Sequence, residues 1–382
     1  PRPCSPILTG MPTTHRSLIA AGLLFCATGF AAAGPATAKR PASAAAPPST
    51  PHSAPVVVPE AYISAESPGD ELDSLATWHH PDGKTWLIAT AKSSHQLVVF
   101  DADTGERLRA VGGKGSAPGQ FKRPNGIATL GDRLFVVERD NRRVQVLSLP
   151  DFAPVSSFGS DELRAPYGLW LNPDADGRGA DLYVTDSFMY GERFDQLPPM
   201  AELDQRVRRY RLAFTADSGV RAEARGHFGD TGERNALRIV ESIAGDPAHD
   251  RLLIADEYHP KSTLREYTLA GKATGRQLPE DTFSFEAEGV ALWSCRRGKG
   301  YWVSVDQLAP LTVFHVFDRE SLRRVGSITG RTVATTDGIA LRSEGNARFP
   351  SGALYAVHAD KSVAAFDLRD VIAALKLDRD CR

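Results

Sequence analysis

The chain has 382 residues, with 45 Lys and Arg against 47 Asp and Glu and a net charge of -2. A nucleic-acid binder normally carries a marked basic excess, so that class of partner is not expected. Nor is a membrane span: the one long apolar run, Leu18 to Ala33, is too short and wrongly flanked to cross a bilayer.

That run reads as the core of a secretory leader. His15 and Arg16 precede it, and small residues through Ala38 offer a cleavage site. Met11 is the expected initiator, with residues 1–10 an over-long start. Cys26 suggests a lipid anchor, but Phe25 before it is too large for that cleavage. Residues 39–60 are rich in Pro, Ala and Ser, cannot bury a core, and read as a disordered linker. The expectation is an exported protein, periplasmic or extracellular, folded over 61–382. Those roughly 320 residues suit one closed all-β domain, expected as a monomer. Of the four cysteines, Cys295 and Cys381 follow the leader. In an exported chain they form one disulfide tying the C-terminus to the body, or remain two thiols.

The folded part is written in short β-type runs with turns every 8–12 residues. Gly112 to Gly159 holds one complete unit: Asn125 to Ala128, Leu134 to Val137, Val144 to Leu149 and Pro154 to Phe158. The unit recurs. Its first and second runs return at Leu75 to Trp78 and Trp86 to Thr90, at Tyr167 to Trp170 and Asp181 to Asp186, and at Glu241 to Ala244 and Leu252 to Glu257. They return again at Glu288 to Leu292 and Tyr301 to Asp306, and at Asp337 to Leu341 and Leu354 to His358. A spacing of roughly 40 residues with four strands per unit is the signature of a β-propeller. The expected fold is therefore all-β: a six-bladed propeller with four antiparallel strands per blade. Tyr62 to Ser64 is expected to close the last blade. Asp370 to Leu377 reads as a terminal helix, and Ser187 to Gln205 as an insertion in blade three.

In such a blade the innermost strand leaves one face of the disc and the second strand returns to it. First-strand starts and second-strand ends therefore share one mouth. The starts are Asp73, Asn125, Tyr167, Glu241, Glu286 with Glu288, and Asp337. The ends are Lys92, Glu138 with Arg139 and Asp140, Asp186, Asp256 with Glu257, Asp306 with Gln307, and His358 with Asp360. Clustered carboxylates raise one another's pKa unless neutralised. Ca²⁺ with its all-oxygen coordination would neutralise them. Asp186 and Asp306 read as turn-capping side chains. Glu241, Glu288 and Asp337 read as ligands, since an unpaired carboxylate before a buried strand is costly. Lys92 is either a phosphate contact or a counter-ion for a neighbouring carboxylate.

These residues also carry a resemblance. Leu72-Asp73-Ser74-Leu75-Ala76-Thr77-Trp78-His79-His80-Pro81 resembles the opening of the secreted bacterial β-propeller phytases. Leu87 to Lys92 followed by Gln96 to Asp101 resembles that family's next strand pair. Glu288-Gly289-Val290, Gly298-Lys299-Gly300-Tyr301, Thr336-Asp337-Gly338-Ile339 and Phe349-Pro350-Ser351-Gly352 are similar to its later landmarks. The resemblance implies a calcium-dependent phosphomonoesterase that releases phosphate from myo-inositol hexakisphosphate through a metal-activated water. By position it implies Glu241, Glu288 and Asp337 as catalytic carboxylates. Asp73, Glu241, Asp256, Glu257, Glu286, Glu288 and Asp337 would be calcium ligands. Lys92, Arg139, Tyr167 and Gln307 would contact the phosphorylated substrate. The departures are Ser74 and Ser93 for an Asp and a Lys, Asp186 for a blade-three Lys, and Glu286 for an Asp. They thin the phosphate site and leave the metal ring largely intact.

Blade two separately resembles an NHL repeat, through Gly115-Ser116-Ala117-Pro118-Gly119-Gln120-Phe121, Arg123-Pro124-Asn125-Gly126 and Arg142-Arg143-Val144-Gln145-Val146. That resemblance implies a non-catalytic exported propeller binding a protein or glycan. A zinc site of the kind some such propellers carry needs a set of His ligands. Only His259 and His358 fall near the expected mouth.

Overall fold

A computed structural model describes residues 54–215 and 219–381. The leader reading, the start at Met11, Cys26 and the linker up to residue 53 lie outside the described residues. From 54 onward the chain forms six sheets, each with four antiparallel strands that are consecutive in blades one to five. Their inner strands are Leu72–His79, Pro124–Leu130, Pro166–Pro173, Val240–Asp246, Ala287–Ser294 and Ile339–Arg342. This is a six-bladed β-propeller, all-β apart from short helical turns and one terminal helix.

The outer strand of blade six is Tyr62–Ile63, paired antiparallel with Ser362–Asp367. Blade five takes a fifth strand, Val56–Val57, parallel to Arg324–Thr329. The expected linker of residues 39–60 is therefore too long at its C-terminal end. Val58 is buried, and Glu60 accepts the backbone N–H groups of Arg331, Thr332 and Val333. The Pro and Ser content hid a short β-branched run, Val56-Val57-Val58, which is enough to cover a sheet edge.

Apolar clusters fill the spaces between neighbouring blades. Ala76, Ile88 and Val99 of blade one meet Ile127, Leu134 and Leu147 of blade two. Leu72, Leu87 and Val98 meet Tyr355 and Val363 of blade six in the same way. Burial at about 25 cal/mol per Å² of apolar surface is what holds the ring together. The terminal helix runs Leu368–Leu375, starting two residues before the expected Asp370. Asp367 caps it by accepting from Arg369 N, and Leu368, Val371 and Ile372 are its buried face. Cys295 and Cys381 are disulfide-bonded across a separation of 86 residues, tying the chain end to blade five.

One irregularity recurs at the mouth. Five inner strands slip register at the same place: Leu72/Leu75, Pro124/Ile127, Pro166/Leu169, Val240/Ile243 and Ala287/Val290. Such a bulge bends the strand and re-aims one side chain. The re-aimed residues are Asp73, Asn125, Tyr167, Glu241 and Glu288, with Asp337 at the matching position before Ile339. The next residue is Ser or Gly because the neighbouring blade's backbone is close. A Cβ on Gly126 would meet Tyr167 O at 2.5 Å, on Gly168 Glu241 O at 2.3 Å, and on Gly338 Asp73 O at 2.4 Å. Gly289 N donates to Asp337 O and Gly338 N to Asp73 O, both at 3.0 Å. The bulges thus interlock around the axis and bring six side chains together.

Candidate functional site

Three of the converging carboxylates form one group. Glu241, Glu257 and Glu288 each offer an oxygen, all within 4.8 Å of one another. Glu257 and Glu288 are buried. Glu241 keeps some solvent contact, but its carboxyl is surrounded by protein groups and accepts a hydrogen bond from Tyr167. Glu257 lies against Glu241 and Glu288, so each carboxylate charge opposes the others.

Burial is the largest reason the three carboxyls are pushed well above the ordinary range. For Glu241 the next causes are Asp73 and Asp337, with Lys92 opposing. For Glu257 they are Glu241, Glu288 and Glu286. For Glu288 they are Glu241, Asp337 and Asp73. Like charges in a low-dielectric pocket cannot all ionise unless a cation joins them. Glu257 Oε1 is buried with no hydrogen-bond partner among the described residues. An all-oxygen, anionic donor set with an unused oxygen fits a hard divalent cation such as Ca²⁺.

A second group adjoins it. Lys92 Nζ lies 3.2 Å from Asp73 Oδ1, 3.2 Å from Asp337 Oδ2 and 3.7 Å from Glu71 Oε1. Burial works against the ammonium charge, but Asp73, Asp337 and Glu241 outweigh it and raise its pKa. Asp73 Oδ2 also accepts from Asn125 Nδ2 at 3.3 Å, and Asp337 Oδ1 accepts from Gln307 Nε2. Burial, then Asp73, push the Asp337 carboxyl up to about 7, with Lys92 opposing. Of the two roles open to Lys92, the geometry shows the counter-ion. Tyr167 and Gln307 likewise face carboxylates.

Other expected site residues lie elsewhere. Asp256 is not in the metal group. Its Oδ1 accepts from Arg238 N and Ile239 N, and its Oδ2 from Arg265 Nε at 2.8 Å. The same latch recurs. Asp186 accepts from Arg164 N and Ala165 N with Arg208 3.6 Å away, and Asp306 from Ser284 N and Phe285 N with His315 3.6 Å away. Each acid ties the loop entering its blade to a base on the third strand, so the turn-capping reading of Asp186 and Asp306 extends to Asp256. The adjacent Glu257 is the ligand candidate, because one residue along a strand end reverses the side chain. Glu286 stands outside the three-carboxylate group, its pKa raised by burial. Arg139 pairs with Asp140 at 2.8 Å, half-exposed, and touches none of the clustered residues. His358 accepts from Ala334 N, and no histidine joins the ligand group found among the described residues.

Glu71, one residue before blade one's inner strand, was not expected in the site. It joins Lys92 and Arg123 and accepts from Ser93 Oγ. Its placement depends on a left-handed backbone at a non-glycine residue, for which the sequence carries no signal.

No family model matches the chain, and no curated protein matches it. Solved structures that resemble it include hydrazine synthase from Kuenenia stuttgartiensis, at 15% identity and a TM-score of 0.43, covering 84% of this chain and 82% of that one. A chain of a nidogen/laminin complex shows 16% identity and a TM-score of 0.45, covering 72% and 87%. A chain from BBS1N in complex with ARL6DN shows 12% identity and a TM-score of 0.47, covering 82% and 97%. At TM-scores below 0.5 these likenesses say nothing of chemistry, and the propeller rests on the strand pairing above. Among the described residues no helix is long and apolar enough to cross a membrane.

Proposed function

We propose that this protein is an exported, calcium-dependent phosphomonoesterase of the propeller-phytase type, acting on a phytate-like substrate. The observation that supports it most is the group Glu241, Glu257 and Glu288, within 4.8 Å of one another and adjoining Lys92, Asp73 and Asp337. A purely structural ring has no reason to gather three mutually repelling carboxyls where packing would favour apolar groups.

Glu241, Glu257 and Glu288 would hold Ca²⁺, with Asp73 and Asp337 close by. The bound ion would neutralise phosphate charge and lower the pKa of a water. The chain's own groups do the rest. Tyr167 fixes Glu241 by donating to it. Lys92 and Gln307 hold Asp337 from either side. Held by Lys92 and Gln307 beside the carboxylate group, Asp337 is placed to take a proton from an attacking water. The water oxygen would bond to phosphorus as the bond from phosphorus to the substrate oxygen breaks, and the departing oxygen would take up a proton, from Asp337 or from solvent, to leave as the alcohol.

The test is phosphate release from phytate by chelator-treated protein, before and after added calcium. Calcium-dependent release, lost in Glu288→Gln with the fold retained, is the expected result. No release at any calcium level, with a calcium-dependent rise in melting temperature, would sink the enzyme reading and leave a metal-stabilised binding propeller.

A further inference from the structure

Beside Lys92 lies a second cation that the reading above does not use. Arg123 Nη2 is 3.0 Å from Glu71 Oε1, the same oxygen that lies 3.7 Å from Lys92 Nζ. The two cations therefore share one carboxylate oxygen. Lys92 has Asp73 and Asp337 as further partners, whereas Glu71 is the one carboxylate paired with Arg123 among the described residues. The Arg123 side chain is 27% exposed, against 9% for Lys92. Its Nε is buried and has no hydrogen-bond partner among the described residues, so the solvent-facing part of the side chain is the rest of the guanidinium.

The placement of Arg123 is built rather than incidental. Three residues here take the left-handed backbone that favours glycine: Glu71 at φ 53, His95 at φ 57 and Arg123 at φ 47. They touch one another. Arg123 N donates to His95 Nδ1 at 3.1 Å, and the Arg123 guanidinium pairs with Glu71. Lys92 N in turn donates to Glu71 O at 2.8 Å. Because His95 accepts at Nδ1, its proton is on Nε2 and the ring is neutral. Burial, followed by the cations Lys114 and Arg123, holds its pKa down, so the acceptor persists at neutral pH. Blade one thus grips an arginine of blade two at both its backbone and its side chain. Strained non-glycine backbone persists where surrounding contacts over-determine it, and it clusters at functional sites.

We propose that Arg123 is an anion-binding residue at the propeller mouth, presenting the exposed part of its guanidinium to a phosphate-type oxyanion, with Glu71 and His95 as its positioning residues. A guanidinium presents a planar fork of donors that matches such an oxyanion. Glu71 holds the fork while no anion is bound and competes with an anion for it. The phosphate-type specificity rests on the phosphatase reading; anion binding by Arg123 does not.

The probe is inorganic phosphate, titrated calorimetrically into the full calcium-loaded chain, alongside kcat and KM on phytate. Arg123→Gln is expected to weaken phosphate binding about tenfold, the loss of one charge-assisted contact, and to raise KM more than it lowers kcat. Arg123→Lys should recover part of the loss. Glu71→Gln, which keeps the shape and removes the competing charge, should tighten phosphate binding. A merely structural Arg123 would not give that opposite sign. Phosphate binding unchanged in Arg123→Gln, or absent from the wild type, overturns the proposal. Wild-type phosphate binding that depends on Arg123, without release from phytate, would instead overturn the enzyme reading and leave the anion site standing.

Discussion

Lys92 Nζ donates to Asp337 Oδ2 at 3.2 Å, joining residues 245 positions apart across the seam where blade six meets blade one. The ammonium is buried with Asp73 as its second partner. Removing one member of a buried pair leaves the others uncompensated, at about 3–5 kcal/mol. Lys92→Met should therefore lower stability by that order in chelator and by less in calcium, which takes over part of the neutralisation. Urea denaturation under both conditions checks this. Equal losses would mean that the metal group and the Lys92 group do not communicate.

The raised carboxyls set a pH dependence. Glu241, Glu257, Glu288 and Asp337 all titrate higher in the folded protein than in the unfolded chain. Between the unfolded carboxyl value, about 4, and the raised values, the folded state binds more protons. Their contribution is present at the acid end and is lost as pH rises, for Asp337 through about 7. Metal-free protein should lose melting temperature from pH 5 to pH 8. His95 and His227, lowered chiefly by burial, pull the other way. The decisive comparison is thus with Glu257→Gln, whose slope should be shallower than wild type. Calcium should flatten the wild-type slope as well. Parallel slopes in all three would count against a mutually repelling carboxylate group.

Neighbouring residues on one strand end should behave oppositely. Asp256 is fully buried and holds Arg265 and two loop N–H groups. Asp256→Asn should cost about 2–4 kcal/mol and leave calcium affinity near wild type. Glu257→Gln should weaken calcium binding by at least tenfold with little loss, or a gain, of metal-free stability. Calcium titration calorimetry with thermal melts separates the two, and the reverse pattern would return Asp256 to the ligand set.

Ring closure depends on one missing side chain. Gly338 N donates to Asp73 O at 3.0 Å, and a Cβ on Gly338 would lie 2.4 Å from that oxygen. Backbone must move to make room, so Gly338→Ala should cost about 1–3 kcal/mol and displace Asp73 from Lys92. Ala at Gly131, where a Cβ meets nothing within 4 Å but the backbone has φ +55, tests backbone strain without crowding. Denaturation midpoints and activity should show Gly338→Ala losing both, and Gly131→Ala losing stability alone.

The Cys295–Cys381 bridge closes a loop of 86 residues that holds the last three strands of blade five as well as the inner three of blade six. Chain-entropy arguments give about 4.6 kcal/mol for a loop of that order. Cys381→Ser should lower the melting temperature by several degrees while leaving calcium affinity unchanged, because the bridge is on blade five's far turn rather than at the bulges.

Much was legible from residue order alone. Period-two runs with turn punctuation, repeated six times, determined the blade count, since each run can bury its apolar face only against a neighbour. Strand direction alone places Asp73, Glu241, Glu288 and Asp337 at one mouth. Three things needed the tertiary structure. Val56-Val57 carries too weak a local signal to stand out from a Pro-rich tract, and only the open edge of blade five makes it a strand. Asp256 and Glu257 are adjacent acids after the same apolar run, and the direction of one side chain decides which is a latch and which joins the carboxylate group. Glu71, His95 and Arg123 lie in loops, and their meeting depends on left-handed backbone that tertiary contacts impose against local preference. Periodicity is a property of the chain, whereas convergence depends on how the blades interlock.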